Sequence, residues 1–357
     1  MKILLLSDSL GAGGAQRQLC GLAVMLKNIG YEVSVIYYHE DNFYKDYLVK
    51  NEIPNRLLQD SKGVISRICS VRKFIKGYGP KWVIAYQETP SLLALLSRVS
   101  GIKFRLLVSE RNSTQRVTLK DKIRFFFYRW ADSIVPNSYT QEKFLINRYK
   151  WMSRKLTTIS NFVDLNHFNY IEKYRNNVPL IIIAASIWPP KNTIGFIEAV
   201  NILKIRDVRF RVKWYGYSSA NHEYFNEAIS LINLYGLNDY IELLPKTKEI
   251  NKVYSECDYF CLPSFYEGVP NVIAEAMATG RPIICSSVCD NTRLVFEREN
   301  GFLFNPHCPG SIATAIESAL EISDTQYLKM CKKSRDLAEK LLSEQSFLEK
   351  YIEILTK

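Results

Sequence analysis

The chain has 357 residues, 47% of them hydrophobic and 23% charged, and a net charge of +11. This composition excludes a disordered polymer, and the length predicts two domains of roughly 150–200 residues rather than one core. The charge is uneven: residues 1–177 hold 28 Lys and Arg against 14 Asp and Glu, whereas residues 178–357 hold 19 against 22. The whole excess therefore lies in the first half and predicts an anionic partner for it.

The chain opens MKILLLSDSL. Ile3 to Leu6 is too short for a secretory leader and reads as a first strand. The longest apolar stretch, Val178 to Trp188, is about half a membrane span, so a cytoplasmic protein is expected. Next comes GAGGAQRQL, a glycine-rich turn before a helix. Counted from Gly11 and Gly13, the third glycine of a dinucleotide fingerprint is replaced by Gln16, and no acidic residue is well placed about 20 positions on. What remains is that Gly13 and Gly14 allow close backbone approach, with a helix N-terminus aimed at something anionic.

The runs EVSVIYY, KWVIAY, FRLLVS and DSIVPN alternate with helical patterns such as QRQLCGLAVMLKNIG and LKDKIRFFFYRWA, which predicts a parallel, doubly wound sheet. In the latter helix Ile123, Phe126, Phe127 and Trp130 are expected to face the core. Phe125 and Tyr128 are expected nearer a basic flank of Lys120, Lys122, Arg124 and Arg129. A second basic stretch holds Arg67, Arg72, Lys73, Lys76 and Lys81. Together these point to peripheral attachment at an anionic membrane surface, on its cytoplasmic face.

After Asn161 the polar stretch DLNHFNYIEKYRNNVP reads as a linker. Alternation then restarts with LIIIAAS, RFRVKWYG, YIELL, YFCLP, PIICSS and GFLF. The expected division is a first domain over 1–168, a linker over 169–178, a second domain over 179–342, and a C-terminal helix over 343–357 that packs back on the first. The eight cysteines are expected to be free thiols. Cys257, Cys261, Cys285 and Cys289 form C-x3-C twice, but a zinc ribbon favours a two-residue spacing, and Cys261 and Cys285 sit in apolar runs. No metal site is predicted.

The densest signal is PSFYEGVPNVIAEAMATGRP, residues 263–282. Glu267 stands in a turn with Gly268 and Pro270, a helix is expected from near Val269, and Glu275 follows eight positions on. Around Pro270, which has no N–H of its own, the backbone of Gly268, Val269, Asn271 and Val272 would offer N–H groups to a diphosphate, and Glu275 could accept ribose hydroxyls. Lys191, after a Pro-Pro turn at another strand end, can reach the same phosphates as a point charge. The plainer alternative is that Glu267 caps a helix and Glu275 is a surface residue.

The run E-G-V-P-N-V-I-A-E-A-M-A-x-G-x-P-I-I resembles the signature of family-4 retaining glycosyltransferases, and the resemblance extends over GGAQRQL, ISNFVDLNHF, WPPKN and ENGFLFNP. It implies an α/β GT-B fold, two Rossmann-like doubly wound domains facing across a cleft. It also implies transfer from a nucleotide-sugar donor, UDP-linked, with retained configuration and no required metal or cofactor. The acceptor would be a glycan or a polyprenyl-diphosphate-linked glycan of surface polysaccharide biosynthesis (O-antigen, capsule or lipopolysaccharide). Glu267 would orient the donor sugar, Glu275 would bind the ribose, Lys191 the phosphates, and Gly13 and Gly14 would approach the leaving diphosphate.

Two positions depart from the pattern. Ser186 stands where the family has Arg, so a phosphate charge must come from elsewhere, Arg17 or Arg111. Arg111, in VSERNST, stands where the family often has His; it can donate hydrogen bonds but cannot act as a base. The competing reading of Arg111 is an ion pair with Glu110. A sugar-nucleotide 2-epimerase of the same fold is the alternative enzyme, and a basic nucleic-acid-binding protein the non-enzymatic one. The cations form no single run and no nucleic-acid recognition motif is evident, so no nucleic acid partner is expected.

Overall fold

The computed structural model describes residues 1–58, 63–98, 101–111, 114, 117–217 and 222–357. It divides into two compact units, residues 1–161 with 344–357, and residues 162–343. Each is a six-stranded, all-parallel sheet with helices between successive strands.

In the first unit the strands are β1 (Lys2–Leu6), β2 (Glu32–Tyr37), β3 (Asn55–Leu57), β4 (Trp82–Tyr86), β5 (Arg105–Glu110) and β6 (Ser133–Pro136). The helices are α1 (Gly14–Asn28), α2 (Lys45–Lys50), α3 (Val64–Tyr78), α4 (Glu88–Ser97), α5 (Leu119–Phe127) and α6 (Tyr139–Arg148). The sheet order is β3-β2-β1-β4-β5-β6. The central strands are buried on both faces, which is why they read as continuous apolar runs. Short β3, Asn-Arg-Leu, pairs only with Val35 to Tyr37 at the sheet edge and carries no apolar run to betray it.

The expectation for α5 is reversed at every position but Phe127, which is half-buried against the core. Phe125 and Tyr128 are fully buried, while Ile123, Phe126 and Trp130 are 50%, 51% and 55% exposed. The cause is electrostatic. Glu110 at the end of β5 is buried, and burial pushes its carboxyl up while the Arg124 guanidinium draws it back down. Arg124, itself buried, lies 3.5 Å from Glu110, 2.9 Å from Asp121 and in contact with Glu88. Tyr128, in the single 3-10 turn Tyr128–Trp130 that continues α5, donates its hydroxyl to Glu110. A buried carboxylate needs such partners, and satisfying it turns the Asp121, Arg124 and Tyr128 side of the helix inward. The apolar stripe is left facing out.

The second unit contains β7 (Leu180–Ala184), α7 (Thr193–Ile205), β8 (Arg211–Tyr217), α8 (His222–Leu234), β9 (Ile241–Pro245), α9 (Ile250–Glu256), β10 (Tyr259–Leu262), α10 (Asn271–Ala278), β11 (Ile283–Ser286), α11 (Asn291–Leu294), β12 (Gly301–Phe304), α12 (Pro309–Glu321) and α13 (Asp324–Leu342). Its sheet order is β12-β11-β10-β7-β8-β9. The boundary falls after Asn161, not at 168, because Val163 and Phe168 are buried in a core shared with α10 and β10.

Residues 169–178 are not a free linker either. Lys173 and Asn176 bond the buried carboxylate of Asp258, Arg175 reaches Asp324 at 2.7 Å, and Ile171 offers its carbonyl to buried Arg281. The polar residues that suggested solvation are engaged by the second unit.

The eight cysteines are free. Cys257, Cys261 and Cys285 are fully buried, and burial pushes their thiols up, Cys257 to about 12. Such thiols behave as small apolar groups. After α13 the chain forms α14 (Glu344–Thr356), which belongs to the first unit. There Phe347, Tyr351 and Ile354 are buried, the Trp82 indole donates to Leu355 O at 3.1 Å, and the Tyr86 and Tyr351 hydroxyls lie 2.8 Å apart. Among the described residues no helix is long and apolar enough to cross a membrane.

Candidate functional site

In an open parallel sheet the strand order reverses at one place, and the strand ends there leave a crevice for a ligand. In the second unit that place is the β7–β10 pair, where the chain has built β8 and β9 to one side and β11 and β12 to the other. Lys191 follows β7, and Glu267 follows β10. The fold brings them together: Lys191 Nζ lies 2.5 Å from Glu267 Oε1, which also accepts from the Ser264 hydroxyl at 2.6 Å. Both side chains keep partial contact with solvent, so the pair is held yet reachable.

Asn192 fastens this arrangement. It adopts a left-handed φ of 57° just after Pro189–Lys191, is almost wholly buried, and donates its side-chain amide to Pro263 O at 3.2 Å and Pro306 O at 2.8 Å. Asn tolerates that backbone region better than most residues. One amide thus ties the loops after β7, β10 and β12. A further backbone bond, Phe265 N to Pro190 O at 2.9 Å, closes the same two loops. Asn192 and Ser264 escaped the sequence reading; the only available signals were Asn after Pro-Pro-Lys and Ser three positions before Glu267.

Helix α10 starts at Asn271, two residues later than expected. Its N-cap is Pro270, no side chain caps it, and its first turn carries no acid. Gly268 and Val269 lead into it, and Asn271 and Val272 begin it half-buried. Glu275 is one turn along rather than two. It is 4% exposed and accepts from the Tyr254 hydroxyl at 3.0 Å, which removes the surface-residue reading. Tyr254, on α9, could not be linked to Glu275 from sequence spacing. Ser186 stands exposed at the end of β7, and close by, Gly216 is required because a Cβ there would lie 1.8 Å from Ala185 O.

In the first unit the reversal is at β1–β4. Asp8 follows β1 and accepts from Ser9 N at 2.6 Å and from Gln16 Nε2 at 3.0 Å. Gln87 follows β4; with its amide nitrogen toward Asp8 it donates to both carboxylate oxygens, at 3.0 and 3.1 Å. Gln87 has φ 74° and ψ 176°, a conformation costly for any residue with a Cβ and concentrated at functional positions. Neither residue was singled out from the sequence. Gln16 fills the place of the third fingerprint glycine: a Cβ on Gly13 would lie 2.2 Å from its Oε1. Gly14 is exposed at the first position of α1 and Arg17 is half-buried on its first turn.

Arg111 points away from Glu110, as successive residues leaving a strand do. It lies over the Tyr86 ring at 4.5 Å and donates to the Tyr86 hydroxyl at 3.3 Å, and its Nη1 is buried without a partner. The Glu110 ion-pair reading of Arg111 is therefore set aside, since Arg124 takes that role. Asn112 and Ser113 of the same stretch lie outside the described residues.

Comparison with known proteins agrees with this architecture. An uncharacterized glycosyltransferase of Haemophilus influenzae is 24% identical over 353 residues, covering 96% of this chain and 95% of that one. The N-acetylgalactosamine-N,N'-diacetylbacillosaminyl-diphospho-undecaprenol 4-alpha-N-acetylgalactosaminyltransferase of Campylobacter jejuni is 23% identical over 337 residues, 88% of each chain. The crystal structure of Anabaena HepE in complex with UDP and glucose superposes with a TM-score of 0.84 over the full length of both chains, at 18% identity. Residues 12–167 match the family described as Glycosyltransferase Family 4, and residues 178–321 match Glycosyl transferases group 1. With both halves matched in order on a GT-B fold, the chain belongs to the family-4, group 1 glycosyltransferases.

Proposed function

We propose that this enzyme transfers a hexosyl unit, with retention, from a UDP-linked sugar to a polyprenyl-diphosphate-linked glycan during surface polysaccharide biosynthesis. The observation that carries the reading is the Lys191–Glu267 pair at the β7–β10 reversal, with Glu275 one turn into the helix that follows. The Campylobacter relative, named for a diphospho-undecaprenol acceptor, and the UDP and glucose held by Anabaena HepE support the choice of substrates.

In this reading the donor diphosphate lies against Lys191 and the entrance of α10 from Gly268 to Val272, the ribose hydroxyls reach Glu275, and Glu267 orients the sugar. The bond from the anomeric carbon to the diphosphate oxygen breaks, and the acceptor oxygen bonds that carbon on the same face. The acceptor's proton passes to the departing phosphate, leaving UDP and the extended glycan. No protein base is needed, so an arginine at 111 is compatible with the chemistry. Arg111, Arg17, Gly13 and Gly14 enter by chemistry alone: guanidinium and backbone N–H groups stabilise a phosphate leaving group. Ser186 contributes a hydroxyl where the family pattern has a charge.

Turnover of a UDP-sugar panel with an undecaprenyl-diphosphate-linked acceptor is expected to proceed in excess EDTA, because Lys191 and the α10 entrance meet the developing charge. Product detection by mass spectrometry decides it; loss of turnover restored only by magnesium or manganese would refute the metal-free mechanism. Glu275→Ala is expected to weaken UDP-sugar binding by roughly 10- to 100-fold, the loss of one or two hydrogen bonds to a charged group, with turnover at saturation reduced far less. Calorimetry of UDP alone and saturation kinetics check it, and unchanged affinity would remove Glu275 from the donor site.

A further inference from the structure

The exposed side of α5 is unusual for a core-facing pattern. Leu119, Ile123, Phe126 and Trp130 recur at helical spacing along one stripe, Leu119 being 73% exposed, and Phe126 and Trp130 meet edge to face at 5.4 Å. Beside the stripe lies a groove of about 730 Å³ between α5 and α6. Its cations are Lys122, Arg129 and Arg148, and Phe126, Phe144 and Trp151 form its walls. Arg129 lies over the Phe126 and Trp151 rings at 5.4 and 5.6 Å. None of the three cations forms an ion pair with a described carboxylate.

The nearby acids are engaged or face elsewhere. Asp121 holds the capping box of α5 and Arg124, Asp132 pairs with Arg98 at 3.1 Å, and Glu88 and Glu110 serve Arg124. Glu142 on α6 is set about 200° around the helix from Phe144 at 100° per residue, away from the groove. The result is an apolar stripe with an uncompensated basic groove along its side. This is the build of a helix that lies in the interfacial plane of an anionic bilayer, where apolar side chains enter the headgroup layer and cations remain at its surface. Aromatic side chains with a polar edge suit that boundary.

We propose that this face of the first unit docks on an anionic lipid surface. Leu119, Ile123, Phe126 and Trp130 enter the headgroup layer, and Lys122, Arg129 and Arg148 close on a lipid phosphate in the groove. The inference rests on the lipid-linked acceptor reading for its purpose, but its test does not depend on turnover. The test uses the full chain with vesicles of phosphatidylglycerol or of phosphatidylcholine alone, by sedimentation at low and high salt.

The wild type is expected to bind the anionic vesicles at low salt and to be released by high salt. Replacing Lys122, Arg129 and Arg148 by Gln together is expected to weaken binding by about 100-fold, at about 5-fold per cation near the surface. Phe126→Ser with Trp130→Ser is expected to lose roughly 10-fold or more while every cation remains. Lys45→Gln with Lys50→Gln serves as the control and should bind as wild type: both are exposed on α2, which follows a crossover in the opposite direction to that of α5 and so lies on the other face of the sheet.

Titration with inorganic phosphate separates the two sources of the same chemistry. Occupation of the groove by free phosphate without vesicle binding would overturn the proposal, as would equal binding to neutral vesicles or equal loss in the α2 control. UDP affinity, measured by calorimetry on the same variants, should stay at the wild-type value. If UDP fails to bind any of these proteins, the donor reading falls while the docking result stands.

Discussion

Glu267→Ala is expected to lower kcat by roughly 100- to 1,000-fold, the usual loss when one preorganised electrostatic partner of the transition state is removed. The KM for the donor should change little. Glu267 is held by Lys191 at 2.5 Å and Ser264 at 2.6 Å, so its carboxylate is placed before substrate arrives. An interaction that matters only as charge develops appears in kcat, whereas one made equally in ground and transition states appears in KM. Glu267→Gln keeps the shape and the bond to Ser264 but gives up the charge facing Lys191, and should fall between wild type and the Ala variant. Saturation kinetics on both variants, with UDP affinity by calorimetry as a second readout, checks this. A wild-type kcat in the Ala variant, or a loss confined to KM, would remove Glu267 from the reacting sugar.

The candidate site residues that sequence reasoning named are those whose signal is local. Lys191 follows a Pro-Pro turn, and Glu267 and Glu275 stand in a run dense with turn and helix signals. The central strands were legible because burial on both faces leaves them uninterrupted apolar runs. What escaped is tertiary. Asn192 matters because three loops converge on its amide; Tyr254 because α9 lies against α10; Asp8 and Gln87 because β1 and β4 are neighbours although about 80 residues separate them. Only the sheet order makes these pairs visible.

The misreading of α5 has a different origin. The amphipathic pattern was real, and the assumption that an apolar stripe faces the core is ordinarily sound. It failed because a buried carboxylate on the neighbouring strand required Arg124 and Tyr128 more strongly than the core required Ile123 and Phe126. Nothing in the periodicity of residues 119–130 announces Glu110, which is nine residues upstream of the helix. A stripe displaced in this way signals a surface with a use, which is the ground for the lipid-docking inference.

The polar stretch after Asn161 yields the second large effect. Asp258, at the entry to β10, is completely buried. Its carboxylate accepts from Asn176 N at 3.1 Å, from the Asn176 side chain at 2.8 Å and from Leu180 N at 2.7 Å, and Lys173 Nζ lies 3.3 Å away. Asp258→Ala would leave two backbone N–H groups and an ammonium facing an apolar void. Removing one partner of a buried, hydrogen-bonded charge cluster costs about 3–5 kcal/mol, a large share of the stability of a unit this size. Asp258→Asn retains an acceptor oxygen and should cost less than the Ala variant. Because two units are present, global unfolding alone would blur the result. Hydrogen exchange resolves it: the amides of Asn176 and Leu180 should lose protection in Asp258→Ala, with the β1 and β4 amides of the first unit unchanged. Protection of Asn176 and Leu180 equal to wild type would mean that the strap over residues 169–180 is held by Arg281 and Arg175 without Asp258.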